Sequence, residues 1–169
     1  MATTIDAPPS RVWPWRVQMG CDRAGWYSWD RLDNSGVPSA ERIHPEWQQI
    51  AVGDRLLSTK SGKTWFVVAA MESERFLALR ASYDVRGRPF DPAGPRPRHF
   101  TDSVWCFLLE PLPGNRTRLI VSGYAIGRPR MAQAIQDVLI WEPTHWVMQT
   151  RQFANVRRRA ERDDDKETP

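Results

Sequence analysis

The stretch "DSVWCFLLEPLPGNRTRLIVSGYAI", residues 102–126, predicts a β-hairpin. Its first half is rich in aromatic and branched apolar residues, and "PGN" supplies the turn before the second half. Side chains alternate between the two faces of a strand, and two arginines mark one face of the second strand as solvated. The expected apolar faces carry Trp105, Phe107 and Leu109 on the first strand, and Thr117, Leu119, Val121 and Gly123 on the second.

Three more strands are predicted before this hairpin, at residues 52–59, 64–71 and 75–83, separated by the turns "SGK" and "ESE". In the middle one of these, strict alternation puts Trp65, Val67, Ala69 and Met71 on a common face. After the hairpin, residues 130–162 show the periodicity of a helix. A series of strands followed by one long amphipathic helix indicates an α+β domain in which the helix packs against an antiparallel sheet.

The last helix is expected to bury one stripe against the sheet. The apolar members of that stripe are Trp146, Phe153, Val156 and Ala160, and it is flanked by His145, Met148 and Gln152. Arginines fill the opposite side.

The N-terminal part combines a short strand at residues 3–6 with a helix from Ser10 to Met19 that stops at Gly20. Residues 12–34 hold four of the nine tryptophans and span both this helix and the loop after it. Residues 21–53 are predicted to be a loop with short helical turns. A core helix needs apolar residues on one stripe only, and a solvent loop needs few, so such a segment is expected to line or cover an internal space.

The bulk properties indicate one globular domain, residues 1–169, with an acidic tail at 163–169. No apolar run is long enough to cross a bilayer, and no secretory leader is visible, so the expected compartment is the cytoplasm. The net charge is +4, but the basic "RRRAER" is followed at once by "DDDKE". This distribution argues against nucleic-acid binding.

Four ordered blocks resemble the SRPBCC (START/Bet v 1-like) superfamily, most closely bacterial members of the polyketide cyclase/dehydrase-like branch. The blocks are "APPSRVWPWRVQMGCDRAGWYSWDRLDN", "PEWQQIAVGD", "VWCFLLEPLPGNRTRLIV" and "HWVMQTRQFANVRRRAE". The resemblance covers about residues 3–162. It implies a helix-grip fold, in which a curved antiparallel sheet wraps around one long C-terminal helix with an apolar cavity between them.

The resemblance places Trp26, Tyr27 and Trp29 at the rim or wall of that cavity; the alternative is that they plug the end of the core. The full set of expected ligand-binding residues is Trp26, Tyr27, Trp29, Trp65, Trp105, Phe107, His145, Met148 and Gln152. The residues at 84–100 form a long Pro-rich connection, either a cover for the cavity mouth or a mobile loop of no consequence for a ligand.

Three residues are candidates for catalytic chemistry. His145 could face the cavity and move a proton, or be hydrogen-bonded at the edge of the stripe. Tyr27 and Asp30 are the other weak candidates, although an aspartate in this polar loop is more typical of caps and turns. The three histidines lie in separate regions and the two cysteines form no ligand motif, so we expect no metal and no cofactor.

Three functions therefore remain open. The first is a non-catalytic binder of an apolar small molecule or lipid. The second is a cyclase, dehydratase or hydrolase that uses the same cavity, and the third is a protein-interaction module. The fold itself does not choose among them.

Overall fold

The computed structural model describes residues 1–129 and 142–162, without the side chains of residues 142–144. It contains a curved, fully antiparallel sheet of six strands in the order β1–β6–β5–β4–β3–β2. The strands are β1 (Ala2–Ile5), β2 (Arg55–Leu57), β3 (Trp65–Glu72), β4 (Phe76–Asp84), β5 (Phe100–Leu112) and β6 (Arg116–Arg128). The helices are α1 (Pro9–Val17), α2 (Asp30–Asp33) and α3 (Glu142–Ala160), with a 3-10 turn at Pro45–Trp47. The predicted α+β class and the long C-terminal helix are confirmed.

The layers follow from the contacts of the helices. Helix α1 packs on β5 and β6, and α3 packs on α1 and on the edge strand β1. The predicted helix over residues 130–162 is seen as α3 in its second part, whereas residues 130–141 and the tail at 163–169 lie outside the described residues. Within the described part of the chain, no helix is long and apolar enough to cross a membrane.

The hairpin β5–β6 has the faces that its sequence predicts. Its register pairs Trp105 with Gly123, Phe107 with Val121, and Leu109 with Leu119. Phe107, Leu109, Leu119 and Val121 are buried, whereas Trp105 is half-buried and Gly123 is exposed. We call this side of the sheet the inner face.

The predicted face of β3 is wrong. The register pairs Phe66 with Leu56 on β2, and Val68 with Leu79 on β4, so Phe66 and Val68 belong to the inner face. Trp65 and Val67 therefore lie on the opposite face, and the Trp65 ring is 4.5 Å from the Arg55 guanidinium carbon.

A β-bulge explains this error. The register between β3 and β4 shifts between Val68 and Ala70, which inserts one residue into β3. After the bulge Met71 pairs with Leu77 and packs against the core. A strict alternation through residues 65–71 therefore assigns the first half of the strand to the wrong face.

The buried stripe of α3 contains Phe153, Val156 and Ala160, as predicted, but not Trp146. Trp146 is 61% exposed, because the stripe continues toward the helix start through Gln152 and Gln149 and leaves Trp146 at its margin. The N-terminal half of the helix therefore presents amide groups to the interior.

The Pro-rich loop packs on the outer face. Phe90 contacts Phe100 edge to face, with 5.6 Å between ring centroids, and the Arg96 guanidinium carbon lies 5.6 Å from the same ring. Arg96 also approaches Asp102 at 3.9 Å. Phe100 and Asp102 alternate with the inner-face residues of β5, so these contacts place the loop away from the inner face.

Candidate functional site

Four aromatic rings meet on the inner face, and we call them the aromatic cluster: Trp26, Phe66, Trp105 and Phe107. Trp26 comes from the loop after α1, Phe66 from β3, and the other two from β5. The ring centroids are 5.4 Å apart for Trp26 and Phe66, 5.7 Å for Trp26 and Trp105, and 4.6 Å for Trp105 and Phe107. These separations are typical of favourable aromatic packing.

The aromatic cluster is only partly buried. Trp26 and Phe107 are buried, whereas Phe66 and Trp105 are only half-buried although they lie on the inner face. Across from them, the first turns of α3 place His145 with its ring centroid 5.8 Å from that of Trp105, and His145 is also half-buried. Phe66 and Trp105 therefore keep some accessible apolar surface, although they lie on the inner face.

His145 is held uncharged in this position. Burial lowers the pKa of the imidazole below its ordinary value, and the positive N-terminus acts in the same direction. At neutral pH the ring is therefore a neutral donor and acceptor beside Trp105.

Arg16 forms the polar end of the site. Its side chain is fully buried, and its guanidinium carbon lies 5.3 Å from the centroid of the Phe107 ring. Nη1 donates a hydrogen bond of 3.3 Å to Oε1 of Gln152, whereas Nε and Nη2 have no hydrogen-bond partner among the described residues. Burial lowers the pKa of Arg16 to about 9, so the group is still a cation at neutral pH.

Two glutamines of α3 complete this polar end. Gln149 Nε2 donates to Gln152 Oε1 at 2.8 Å, and Gln152 Nε2 donates to the carbonyl of Trp26 at 2.8 Å. Gln149 Oε1 and Trp105 Nε1 are buried and have no partner in the described part of the chain. Buried polar atoms are normally hydrogen-bonded, so the polar end of the site is unusual in holding several that have no partner among the described residues.

The loop after α1 positions Trp26 through two glycines. Gly20 and Gly25 pair with each other across the turn, both with positive φ. A Cβ at Gly25 would lie 2.5 Å from Ser39 Oγ, so only glycine fits there. Trp26 is then directed inward, where its Nε1 donates to Sγ of Cys21 at 3.2 Å.

The structure brings most of the expected ligand-binding residues to this site. Trp26, Trp105, Phe107 and His145 are in contact, and Gln152 bonds to the Trp26 backbone. Met148 is half-buried on α3, one turn after His145.

Three of the expected residues lie elsewhere. Tyr27 is completely buried, so its placement at the rim is wrong: its ring packs on Trp15 at 5.8 Å, and its hydroxyl accepts a hydrogen bond from Gln18. Trp29 is at the surface, 44% exposed and under the Arg151 guanidinium. Trp65 is on the outer side of β3, as described above.

The weak catalytic candidates are not in contact in the described residues. Burial raises the pKa of Tyr27 to about 12, and Asp30 accepts a hydrogen bond of 2.6 Å from Ser39 Oγ at the start of α2. His145 instead contacts Trp105. Their catalytic roles stay predictions. Within the described ranges, no three His, Cys, Asp or Glu side chains are grouped to hold a metal ion.

Sequence reasoning missed Phe66, Arg16 and Gln149. Phe66 was missed because the β-bulge in β3 reverses the face that simple alternation assigns to it. A usable signal for Arg16 was its position one helical turn after Val12, on the stripe that α1 buries. A similar signal for Gln149 was its spacing of three and seven residues from Gln152 and Val156.

No protein-family model and no curated protein matches the chain. Among solved structures, one structural-genomics target from Chromobacterium violaceum is 15% identical, with 96% of each chain covered and a TM-score of 0.52. Another, from Mesorhizobium loti, is 21% identical over 97% of this chain and 98% of its own, with a TM-score of 0.45. A solution structure from Arthrobacter aurescens is 16% identical over 96% and 85%, with a TM-score of 0.49. The first of these similarities supports the fold and carries no statement about function.

Proposed function

We propose that the chain is an SRPBCC (START/Bet v 1-like) protein, related to the polyketide cyclase-like branch, that binds an apolar small molecule or lipid between its sheet and α3. The four sequence blocks and the curved antiparallel sheet with its C-terminal helix support the family assignment. The proposed compartment is the cytoplasm.

One observation carries the binding proposal. The aromatic cluster lies on the inner face, yet Phe66 and Trp105 keep exposed surface there, opposite His145 and Met148. Apolar surface contributes about 25 cal/mol per Å² when it is buried. A ligand that buries roughly 400 Å² gains about 10 kcal/mol, and association costs of about 4 kcal/mol leave a Kd of tens of micromolar.

A neutral fluorescent probe, N-phenylnaphthylamine, tests this proposal. We expect one molecule to bind per chain and to quench tryptophan emission, because Trp26 and Trp105 form the site. Met148→Arg is expected to weaken the binding at least about tenfold, because a charge is costly to desolvate in an apolar site.

Val147→Arg is the matched control. Val147 is the neighbouring residue of α3 and is 45% exposed, so the same new charge stays in water. Circular dichroism establishes that both variants are folded. A folded Met148→Arg protein with the probe affinity of the wild type contradicts the proposed site.

A further inference from the structure

Arg16, on α1, is a fully buried arginine. Its side chain has no accessible surface, and no described carboxylate pairs with it. The titratable group that acts on it electrostatically is Tyr27, whose own high pKa keeps it neutral. Among the described residues, Arg16 is therefore a buried positive charge without a counter-ion, at the end of the aromatic cluster.

The unpartnered atoms of Arg16 are the two that together bind a carboxylate. Nε and Nη2 form one edge of the planar guanidinium, and this edge accepts a carboxylate with two parallel hydrogen bonds. Arg80 shows this geometry in the same protein: its Nε donates to Asp102 Oδ1 at 2.8 Å and its Nη2 to Oδ2 at 2.6 Å. In Arg16 both positions are buried and without a partner among the described residues.

The surrounding groups fit the rest of such a ligand. The guanidinium contacts Phe107, which contacts Trp105, so an apolar body attached to the carboxylate would lie in the aromatic cluster. The unpartnered Trp105 Nε1 is a further donor, and Gln149 Oε1 is an acceptor for a hydroxyl or amide hydrogen. A single unpaired cation balances one negative charge, which favours a carboxylate over a phosphate dianion.

We infer that the site binds aromatic or similarly apolar carboxylic acids, with the carboxylate on the Nε and Nη2 edge of Arg16 and the apolar body against the aromatic cluster. This inference rests on the proposed function, since it specifies the ligand class of the same site. The half-buried rings of Phe66 and Trp105 are the side from which such a ligand would approach.

Displacement of N-phenylnaphthylamine by a matched pair of compounds tests the inference. Naphthoate carries the carboxylate, and naphthalenemethanol is its neutral counterpart of similar size. Because hydrogen bonds to a charged group are strong, we expect the wild type to bind naphthoate about 10- to 100-fold more tightly than naphthalenemethanol. In Arg16→Met the ratio of naphthoate affinity to naphthalenemethanol affinity falls to one or below, because the carboxylate then enters the apolar site unpaired. Arg16→Lys, which keeps the charge without the planar edge, gives an intermediate ratio.

Arg157→Met is the control, because it removes the same charge from the exposed side of α3. It is expected to keep the wild-type ratio. Equal displacement by both compounds in the wild type, or an unchanged ratio in Arg16→Met, overturns the inference and leaves the proposed function standing. Failure of the wild type to bind the probe or either compound overturns both. If Arg16→Met does not fold, the affinity ratios of the wild type and of Arg16→Lys are compared instead. Equal ratios in these two proteins overturn the inference.

Discussion

Two buried arginines of this protein are held in opposite ways. On α3, Arg159 donates through Nη2 to Glu41 at 2.6 Å, through Nε to the carbonyl of Ala40 at 3.0 Å, and through Nη1 to that of Asn155 at 3.1 Å. On α1, Arg16 is more deeply buried and makes one hydrogen bond of 3.3 Å to the neutral amide of Gln152.

Under the ligand assignment inferred above, the difference separates a structural cation, Arg159, from a ligand-binding one, Arg16. Burial of an ion costs several kcal/mol unless a counter-ion and hydrogen bonds offset it. Arg159 has these partners, and it ties the end of α3 to the loop at Ala40 and Glu41. Arg16 has no counter-ion and only one hydrogen bond among the described residues, so its burial is expected to cost stability in the ligand-free protein.

The largest stability effect is expected when the structural cation loses its acid. Glu41→Gln leaves the charge of Arg159 buried and unpaired, and also removes the ion pairs of Glu41 with Arg158 and Arg162. Breaking a buried pair costs about 3 to 5 kcal/mol. Because Glu41 is itself half exposed, we expect a loss of about 2 to 3 kcal/mol in the free energy of unfolding, measured by urea denaturation.

Glu72→Gln is the control for this measurement. Glu72 pairs with Arg75 at 2.9 Å, and both side chains are largely exposed. Exposed pairs contribute little, so its effect should stay below about 1 kcal/mol. Equal losses in the two variants would show that Arg159 does not depend on its acid.

The ligand-binding cation should behave in the opposite way. Arg16→Met removes an unpaired charge and replaces it with an apolar chain of similar length, so we expect the free energy of unfolding to rise by about 1 to 2 kcal/mol. Urea denaturation without ligand is the measurement. If Arg16→Met instead lost as much free energy of unfolding as Glu41→Gln, Arg16 would be a structural residue like Arg159.

Much of the fold follows from the sequence because alternation in β5 and β6 is uninterrupted. Thr117, Leu119 and Val121 are buried as the pattern predicts. In β3 the pattern fails, since one inserted residue at the bulge changes the face of everything before it. Trp146 fails for another reason: hydrophobicity predicts burial, but the contacts at the start of α3 are made by amides.

Some residues of the candidate site can be predicted from periodicity, and others cannot. Trp105, Phe107 and His145 follow from strand and helix periodicity. Tyr27 does not, because its positive φ of 59° turns it away from Trp26 and into the contact with Trp15. Arg16 does not either, since hydrophobic patterning assigns an arginine to solvent, and only the full set of neighbouring side chains shows that it is buried without an acid.

Asp33, at the end of α2, extends the comparison to a negative charge. Burial raises the pKa of this carboxyl to about 6, and repulsion by Asp30 acts in the same direction. No described lysine or arginine forms an ion pair with it. Like Arg16, Asp33 therefore has no counter-ion in the described part of the chain, although it is less deeply buried.

The smallest stability effect is expected from Asp33→Asn. Between the ordinary pKa of 3.8 and the folded value of about 6, the folded state binds more protons than the unfolded state, so stability falls as the pH rises through this window. The full shift corresponds to about 3 kcal/mol, and solvent access to this half-buried group reduces the expected cost at pH 7 to roughly 1 kcal/mol. Asp33→Asn should be more stable than the wild type by that amount at about pH 7. The difference should vanish well below pH 3.8, where the carboxyl is protonated in both the folded and the unfolded state. Urea denaturation of both proteins across this pH range measures the difference. A difference that does not change with pH would contradict an uncompensated charge at Asp33 and leave Arg16 as the one uncompensated charge of this comparison.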